Sequence, residues 1–398
     1  MAETLYPGTF CRSSEESMNY NNRVKNSSTV TIRVMCAIVF VVFSFAWLFF
    51  QADMLAMAQH VMSGGVTHYH NLIGSVIITV TLCLLQFLVY GVTRLNGRMH
   101  ALTYLPSMLL LALLSNISLM IADAPHATSL WWLVPIIALW SGAVFLAVKA
   151  QEIEMDRSLT LMSRPMWINL LTMCLFMMGV AWLGNTNAVF HYRMKMERLL
   201  SEGDYQSVLK VGKKSHESDE HILMLRTFAL ARADKLGDRL FEYPINGTST
   251  QMLPTNGETE MLLCSEDSLY RYLGARPAVT MAPERYLQML LRRDSVPRKT
   301  IGDYLLCGYL VDKDLDHFAK EIGKYYTVDE HLPKHYREAL TLYTHRRSHP
   351  LVVYHVPVVD EDYRNMMEME KQYADKMERK DKLRDQFAGT YWYYYEYE

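Results

Sequence analysis

The chain has 398 residues, of which 50% are hydrophobic and 21% are charged, and its formal net charge is −2. Residues 185–398 carry most of the charge, with 31 Lys and Arg against 34 Asp and Glu. That balance lacks the basic face that nucleic-acid binding requires, so it excludes a nucleic-acid-binding domain. Phosphate-binding loops, nucleophile elbows and Cys-x-x-Cys pairs are also missing from the sequence, so we predict no cofactor.

Apolar segments dominate the first half of the chain. Residues 1–33 are polar and rich in Asn and Ser, which predicts a disordered cytoplasmic leader. Five apolar stretches follow, each near the length of about 20 residues that crosses a bilayer core. They predict a transmembrane domain at 34–184, with spans at 34–52, 72–93, 101–121, 129–148 and 165–184.

The first apolar stretch allows a second interpretation. Ala56-Met57-Ala58 follows it and is similar to a signal-peptide cleavage site. The core of a signal peptide is only about 7–15 residues long, however, and this stretch is longer and follows a long polar leader. We therefore predict that the first span is retained.

Basic residues alternate between successive loops and predict the orientation. The leader and the four loops contain 4, 0, 2, 0 and 3 Lys or Arg residues in turn. Because basic loops stay in the cytoplasm, the N-terminus is predicted to be cytoplasmic. Five spans then place residues 185–398 on the opposite side of the membrane.

The loop after the first span contains the only candidate chemistry of the membrane half. Asp53, His60, His68 and His70 could bind zinc or copper, and Asp53, His68 and His70 are weak candidates for catalysis. An acid just after a first span is similar to membrane glycosyltransferases with many spans, but five spans are too few for that architecture. The simpler interpretation is an interfacial helix that ends at Gly64-Gly65.

Helical hairpins are predicted for residues 185–398. One lies at 188–214, with a further helix near 220–235 that ends at Leu236-Gly237-Asp238, and another lies at 301–326. Leu200–Lys210 aligns with Leu310–Lys320, each with a Leu that closes one helix, an acidic turn and an apolar residue in the next helix. This pattern is typical of tetratricopeptide-like repeats, although the Trp and Pro signature positions are missing.

The remaining segments are predicted to be mainly helical. Helices are expected at 266–273, 283–293 and 333–345, followed by an extended strand or arm at 351–359 and a long helix at 360–387. Cys264 and Cys307 could form a disulfide outside the cytoplasm or remain buried thiols. His331 and His335 have a spacing compatible with a metal site, but Pro333 interrupts the helix between them.

Aromatic residues crowd the C-terminus. We predict that the tail folds back on the helical domain with Trp392 as its anchor, since an exposed cluster would form a large apolar patch. The alternative is a free tail that serves as an interaction surface, formed by Tyr391, Trp392, Tyr393, Tyr394 and Tyr395.

Five segments of the soluble half carry a resemblance to a known family: residues 187–192, 236–241, 312–316, 333–340 and 391–395. Through them the chain resembles an uncharacterised family of multi-span inner-membrane proteins of Gram-negative bacteria. The resemblance implies a periplasmic helical-repeat domain after the spans, and it implies no catalytic residues. Members of that family tend to have more spans than this chain.

Three functions are compatible with this organisation. The leading hypothesis is an all-α membrane protein that presents a helical-repeat domain to a protein partner. The rival is a membrane-embedded enzyme that acts on a lipid-linked substrate through Asp53 and the loop histidines. A transporter subunit is the weakest, because no ionisable residue lies in the middle of a span.

Overall fold

The computed structural model describes residues 8–95, 98–122, 130–153, 164–292 and 298–398. Within these ranges the chain is helical and contains no β-strand. It divides into two compact units, Met1–Thr186 and Asn187–Glu398, so the boundary lies two residues after the predicted one.

The first unit has six α-helices within its described residues, and most of them are long and apolar. They are α1 (Gly8–Phe50), α2 (Ala52–Met62), α3 (Asn71–Thr93), α4 (Leu105–Ala122), α5 (Leu133–Ile153) and α6 (Arg164–Leu183). Within the described residues, four segments are long and apolar enough to cross a membrane: Thr29–Phe50, Asn71–Thr93, Leu133–Ala150 and Arg164–Leu183. They coincide with the first, second, fourth and fifth predicted spans. The third predicted span falls on α4 and the 3₁₀ turn before it, His100–Tyr104.

The N-terminal leader differs from its prediction. Helix α1 begins at Gly8, so most of the segment predicted to be disordered is helical, while residues 1–7 lie outside the described part. No Gly or Pro occurs between Thr9 and Phe50. Since these two residues are the strongest helix breakers, nothing in the sequence forces the helix to start later.

Asn169, in the fifth predicted span, bonds three backbone groups through its side chain. Its Oδ1 accepts from Ala101 N at 2.7 Å, and its Nδ2 donates to the carbonyl oxygens of Arg98 (2.9 Å) and Pro165 (2.7 Å). The amide thereby satisfies three backbone groups near the ends of the predicted spans. Asn169 therefore joins α6 to the start of the 3₁₀ turn.

The second unit is built from twelve shorter helices within its described residues. They are α7 (Ala188–Ser201), α8 (Tyr205–Val208), α9 (Glu220–Arg232), α10 (Leu236–Arg239), α11 (Glu266–Leu273), α12 (Pro283–Leu291), α13 (Arg298–Val311), α14 (Leu315–Glu321), α15 (Lys334–Arg346), α16 (Pro357–Gln372), α17 (Lys376–Phe387) and α18 (Tyr391–Tyr397). Helix α9 is central, since every residue from Ile222 to Ala231 is buried. A helix that is buried all round belongs in the middle of a core.

Two of the helical hairpins share one turn geometry. After α7, Gly203 has φ 77° and Asp204 N donates to Leu199 O at 2.9 Å. After α13, Lys313 has φ 60° and Asp314 N donates to Tyr309 O at 2.8 Å. In each hairpin the aspartate then caps the next helix by accepting from the backbone three residues on. The structure therefore confirms, in backbone geometry, the alignment that was based on sequence.

The same turn also follows α9, and the helix end predicted there was wrong. The helix predicted over 220–235 ends at Arg232, Asp234 has φ 55°, and Lys235 N donates to Leu230 O at 2.9 Å. Leu236-Gly237-Asp238, predicted to end the helix, instead begins the short helix α10. Asp tolerates the left-handed conformation better than most residues, which allows this turn without glycine.

Two predictions for the C-terminal region also need correction. Residues 351–356 form no strand and lead directly into α16, whose first residue is Pro357. The helix predicted over 360–387 is divided into α16 and α17 at Tyr373–Asp375. Asp375 caps α17, and the Arg379 side chain donates to the carbonyl oxygens of Tyr373 and Ala374, so local hydrogen bonds stabilise the break.

Candidate functional site

Among the described residues, the first loop does not bring three of its candidate side chains close enough to share a metal ion. Asp53 lies in the first turn of α2 and His60 in its last turn, whereas His68 and His70 are exposed in the loop before α3. Across the described residues, no three His, Cys, Asp or Glu side chains are close enough to hold a metal ion. The loop is instead closed by its own contacts, including Gln59 Nε2 to Thr67 Oγ1 at 2.9 Å. Helix α2 ends at Met62, just before Gly64 and Gly65, which agrees with the helix end expected from the sequence.

The aromatic tail packs into the second unit. Trp392 is 2% exposed, and its indole Nε1 donates to Glu338 O at 2.7 Å. The Tyr394 hydroxyl donates to Val311 O at 2.7 Å, which connects α18 to α13. The predicted docking therefore agrees with the structure.

The alternative prediction, an interaction surface at Tyr391–Tyr395, does not fit this packing. Four of its five side chains are buried, and only Tyr395 is partly exposed. A partner could reach the buried rings only if α18 left the domain.

Glu338 connects α15 to the tail. Its Oε2 accepts from Tyr391 N at 2.7 Å and lies 2.9 Å from Nδ1 of His335, which is fully buried. The Phe241 ring packs edge-on against the His335 imidazole, with centroids 5.1 Å apart. His335 therefore has a packing role rather than the metal-binding role considered from its spacing to His331.

Glu197 is another buried carboxylate with a structural role. Glu197 Oε2 accepts from the backbone N–H groups of Leu262 and Leu263, and its Oε1 accepts from Arg193. These bonds fasten the loop before α11 to α7. Burial raises the pKa of Glu197, and Arg193 offsets part of that effect.

Asp303 is the centre of a second buried network. Its Oδ1 accepts from the hydroxyls of Tyr326 (2.6 Å) and Tyr336 (2.9 Å), and Cys307 Sγ lies 3.5 Å from the Tyr336 hydroxyl. Burial raises the pKa of Asp303, and the two tyrosine hydrogen bonds oppose the shift. Cys307 and Cys264 are both buried free thiols, which is the second of the two alternatives that the sequence left open.

A surface cavity in the second unit is the strongest candidate for ligand binding. Its volume is about 160 Å³, and it lies between α12, α13, the start of α14 and the segment 249–253. Buried residues form its inner wall, namely Met252, Leu253, Leu287, Tyr304 and Leu305. Ligand pockets for drug-sized molecules typically have about 300–1,000 Å³. The cavity is therefore sized for a side chain or a small fragment.

Acidic groups surround the cavity opening. Glu284, Asp312 and Asp314 line it together with His317, and none of the lining residues described is Lys or Arg. Lys313 lies between the two aspartates in sequence, but its ammonium lies 5.2 Å from the Tyr394 ring centroid and is not part of the lining. The cavity thus combines an apolar interior with a negatively charged rim.

Hydrogen bonds fix the rim carboxylates in place. Asp312 accepts from the backbone N of Ser249 at 2.9 Å, and Glu284 Oε1 accepts from the Tyr309 hydroxyl at 2.9 Å. Burial and the adjacent Glu284 carboxylate raise the pKa of Tyr309, which keeps its phenol protonated as a donor. The rim is therefore preorganised.

The Asp314 carboxylate keeps its charge because of its contacts with His317. Its Oδ1 accepts from His317 N at 3.0 Å, and its Oδ2 lies 2.6 Å from His317 Nδ1. Burial alone would raise the pKa of Asp314, but the contacts with His317 outweigh it and lower the pKa. Asp314 is therefore ionised at neutral pH.

Sequence reasoning found the acidic turn 312–314 but missed the cavity. Its lining comes from segments separated by up to 68 positions, from Ser249 to His317. The available signal was that acidic turn beside the apolar face of α13. Nothing in the linear pattern indicated that Ser249 and Glu284 would lie opposite it.

The fold and site define an all-helical protein with four helices of membrane-spanning length among its described residues and a separate compact helical unit. The model of DUF6057, a family of unknown function, matches residues 123–287 and 279–398, which is more than half of the chain. The chain therefore belongs to this family. No curated protein and no solved structure matches it.

Proposed function

We propose that the chain is a membrane-anchored protein that presents its second unit to a protein partner. The observation that carries this proposal is the open, acid-rimmed cavity on a unit that has its own hydrophobic core. Polar side chains in the predicted spans bond backbone groups or one another: Asn169 bonds backbone, and Gln86 donates to the Thr103 hydroxyl. These packing roles favour anchoring over transport.

The finer architecture belongs to the same proposal. We infer five spans, with α4 as the third, and a periplasmic second unit of a bacterial inner-membrane protein with tetratricopeptide-like hairpins. The shared turn at Gly203 and Lys313 supports repeated hairpins. Helix α8 has only four residues, so the first hairpin is shorter than a standard repeat. Stacked hairpins commonly bind protein segments, which suits the proposed role.

Site-specific photocrosslinking in intact membranes tests this function. A photoreactive amino acid is placed at exposed Gln288, beside the cavity, and at exposed Met377 as a distant control. The expected result is a discrete crosslinked protein band at position 288 and none at 377. If both positions give only uncrosslinked chain, the second unit does not present this face to a protein.

A further inference from the structure

We propose that the cavity between α12, α13 and residues 249–253 binds a Lys or Arg side chain of the partner. This inference rests on the proposed function, since it assigns the chemistry of the partner group. The cavity combines a narrow apolar interior with a rim that has three carboxylates. Lys and Arg have an aliphatic stem and a cationic head, so they match both parts of the cavity.

A metal ion is a poorer occupant of the same rim. Glu284, Asp312 and Asp314 are near the opening, yet among the described residues no three acidic, His or Cys side chains could share a metal. Asp312 already accepts a hydrogen bond from Ser249. Glu284 already accepts hydrogen bonds from Tyr309 and Gln288. Carboxylates that are spread apart suit a diffuse cation with several N–H donors better than a single small ion.

Tyr304 gives an independent reason to expect a polar ligand group. This residue belongs to the cavity wall and is 1% exposed, and its hydroxyl has no hydrogen-bond partner among the described residues. A buried hydroxyl without a partner costs about 1–3 kcal/mol. A ligand cation that reached the phenol oxygen would supply the missing hydrogen bond, because ammonium and guanidinium groups have only donors.

The aromatic part of the rim adds a further attraction for a cation. The rings of Tyr309 and His317 stack with centroids 5.7 Å apart and an interplanar angle of 25°. Both residues line the cavity, so a cationic head at the opening meets π-faces as well as carboxylates. None of the described lining residues is Lys or Arg, so no such side chain competes for this position.

The test uses the full chain in nanodiscs, with methionine methyl groups labelled with carbon-13. Met252 lies in the cavity wall, and its signal is assigned by its loss in Met252→Leu. The probes are the Nα-acetyl methylamides of lysine and arginine, and the norleucine derivative serves as an uncharged control. We expect a saturable shift of the Met252 methyl signal with the two cationic probes alone, and the shift should weaken as salt is added.

A matched pair of double variants assigns the binding to the rim. Glu284→Gln with Asp312→Asn retains side-chain oxygens as acceptors and removes two charges, so the cationic probes should bind about tenfold more weakly. Glu361→Gln with Asp362→Asn removes two exposed charges on α16 and should bind like the natural chain. The other methionine signals report whether each variant is folded.

The outcomes separate this inference from the proposed function. Equal shifts with norleucine, no shift with any probe, or unchanged binding in the rim variant would overturn the assignment of a cationic side chain. If the rim variant still gives the crosslinked partner at position 288, the partner-binding function stands without this site. If the probes bind but no partner crosslinks, the cavity assignment stands and the protein-partner function fails.

Discussion

Trp392 joins the C-terminal helix to the second unit through both packing and a hydrogen bond. Its ring lies against Tyr363, with centroids 5.3 Å apart, while its N–H group binds Glu338 O. Sequence alone predicted this anchor, because a crowded aromatic tail must bury its rings somewhere. It could not predict the acceptor, since Glu338 lies 54 positions away.

Replacing Trp392 by Ala should lower the free energy of unfolding of residues 187–398 by about 3 kcal/mol. That is the usual effect of emptying a buried aromatic site. Chemical denaturation followed by circular dichroism measures it. Met377→Ala provides the control, because Met377 is 73% exposed and its loss should leave the transition almost unchanged. Equal midpoints for Trp392→Ala and the natural sequence would mean that the tail is not docked.

Asp303 is a second residue whose environment was hidden from the sequence. It is 8% exposed, and its neighbours Tyr326 and Tyr336 come from a loop and from α15. Because burial raises its pKa, the folded state holds this proton more tightly than the unfolded state. Its contribution to stability is therefore greatest below the unfolded pKa and declines as pH rises through the folded pKa.

The Asp303→Asn variant should remove this part of the pH dependence. For the second unit without the substitution, the free energy of unfolding should fall as pH rises through the raised pKa of Asp303. The variant lacks the titrating proton, so its curve should be flatter across the same interval. Parallel urea titrations at a series of pH values measure the difference, and curves that stay parallel would contradict the raised pKa.

At the scale of elements, the hairpin turns show which features of the fold can be predicted from residues that are close together in sequence. The acidic turns after Leu200 and Leu310 were predicted because Gly203 and the two capping aspartates are visible in the sequence. The turn after α9 was missed because apolar periodicity continues past Arg232 and no glycine marks Asp234. The cavity was missed for a different reason, since it depends on tertiary packing of distant helices.

Gly203 and Gly323 offer a direct test of the turn geometry. A Cβ at either position would meet no atom within 4 Å, so steric crowding is the same in both. Only Gly203 has a left-handed backbone, with φ 77°. Gly203→Ala should therefore reduce the free energy of unfolding by about 1 kcal/mol, the cost of a left-handed conformation for a residue with Cβ. Gly323→Ala should be neutral or slightly stabilising, and thermal unfolding of the two variants provides the comparison.

For the whole molecule, the number of crossings decides which side of the membrane receives the second unit. Four described segments have membrane-spanning length and hydropathy, and α4 has 18 residues over the third predicted span. An odd number of crossings puts the two termini on opposite sides, whereas an even number puts them on the same side. The alternating loop charges favour the odd count, because they require a crossing between the basic loop at 94–100 and the loop at 122–128.

Reporter fusions that are active only outside the cytoplasm should therefore distinguish five crossings from four. Fusions at Leu72 and Arg98 should be active and inactive, respectively, in both arrangements, and they serve as internal controls. With five crossings, fusions at Ser129 and Glu398 should be active and one at Arg157 inactive. With four crossings, in which α4 does not cross, all three results reverse. An inactive fusion at Glu398 beside an active one at Arg157 would place the acid-rimmed cavity in the cytoplasm, and its partner would then have to be a cytoplasmic protein.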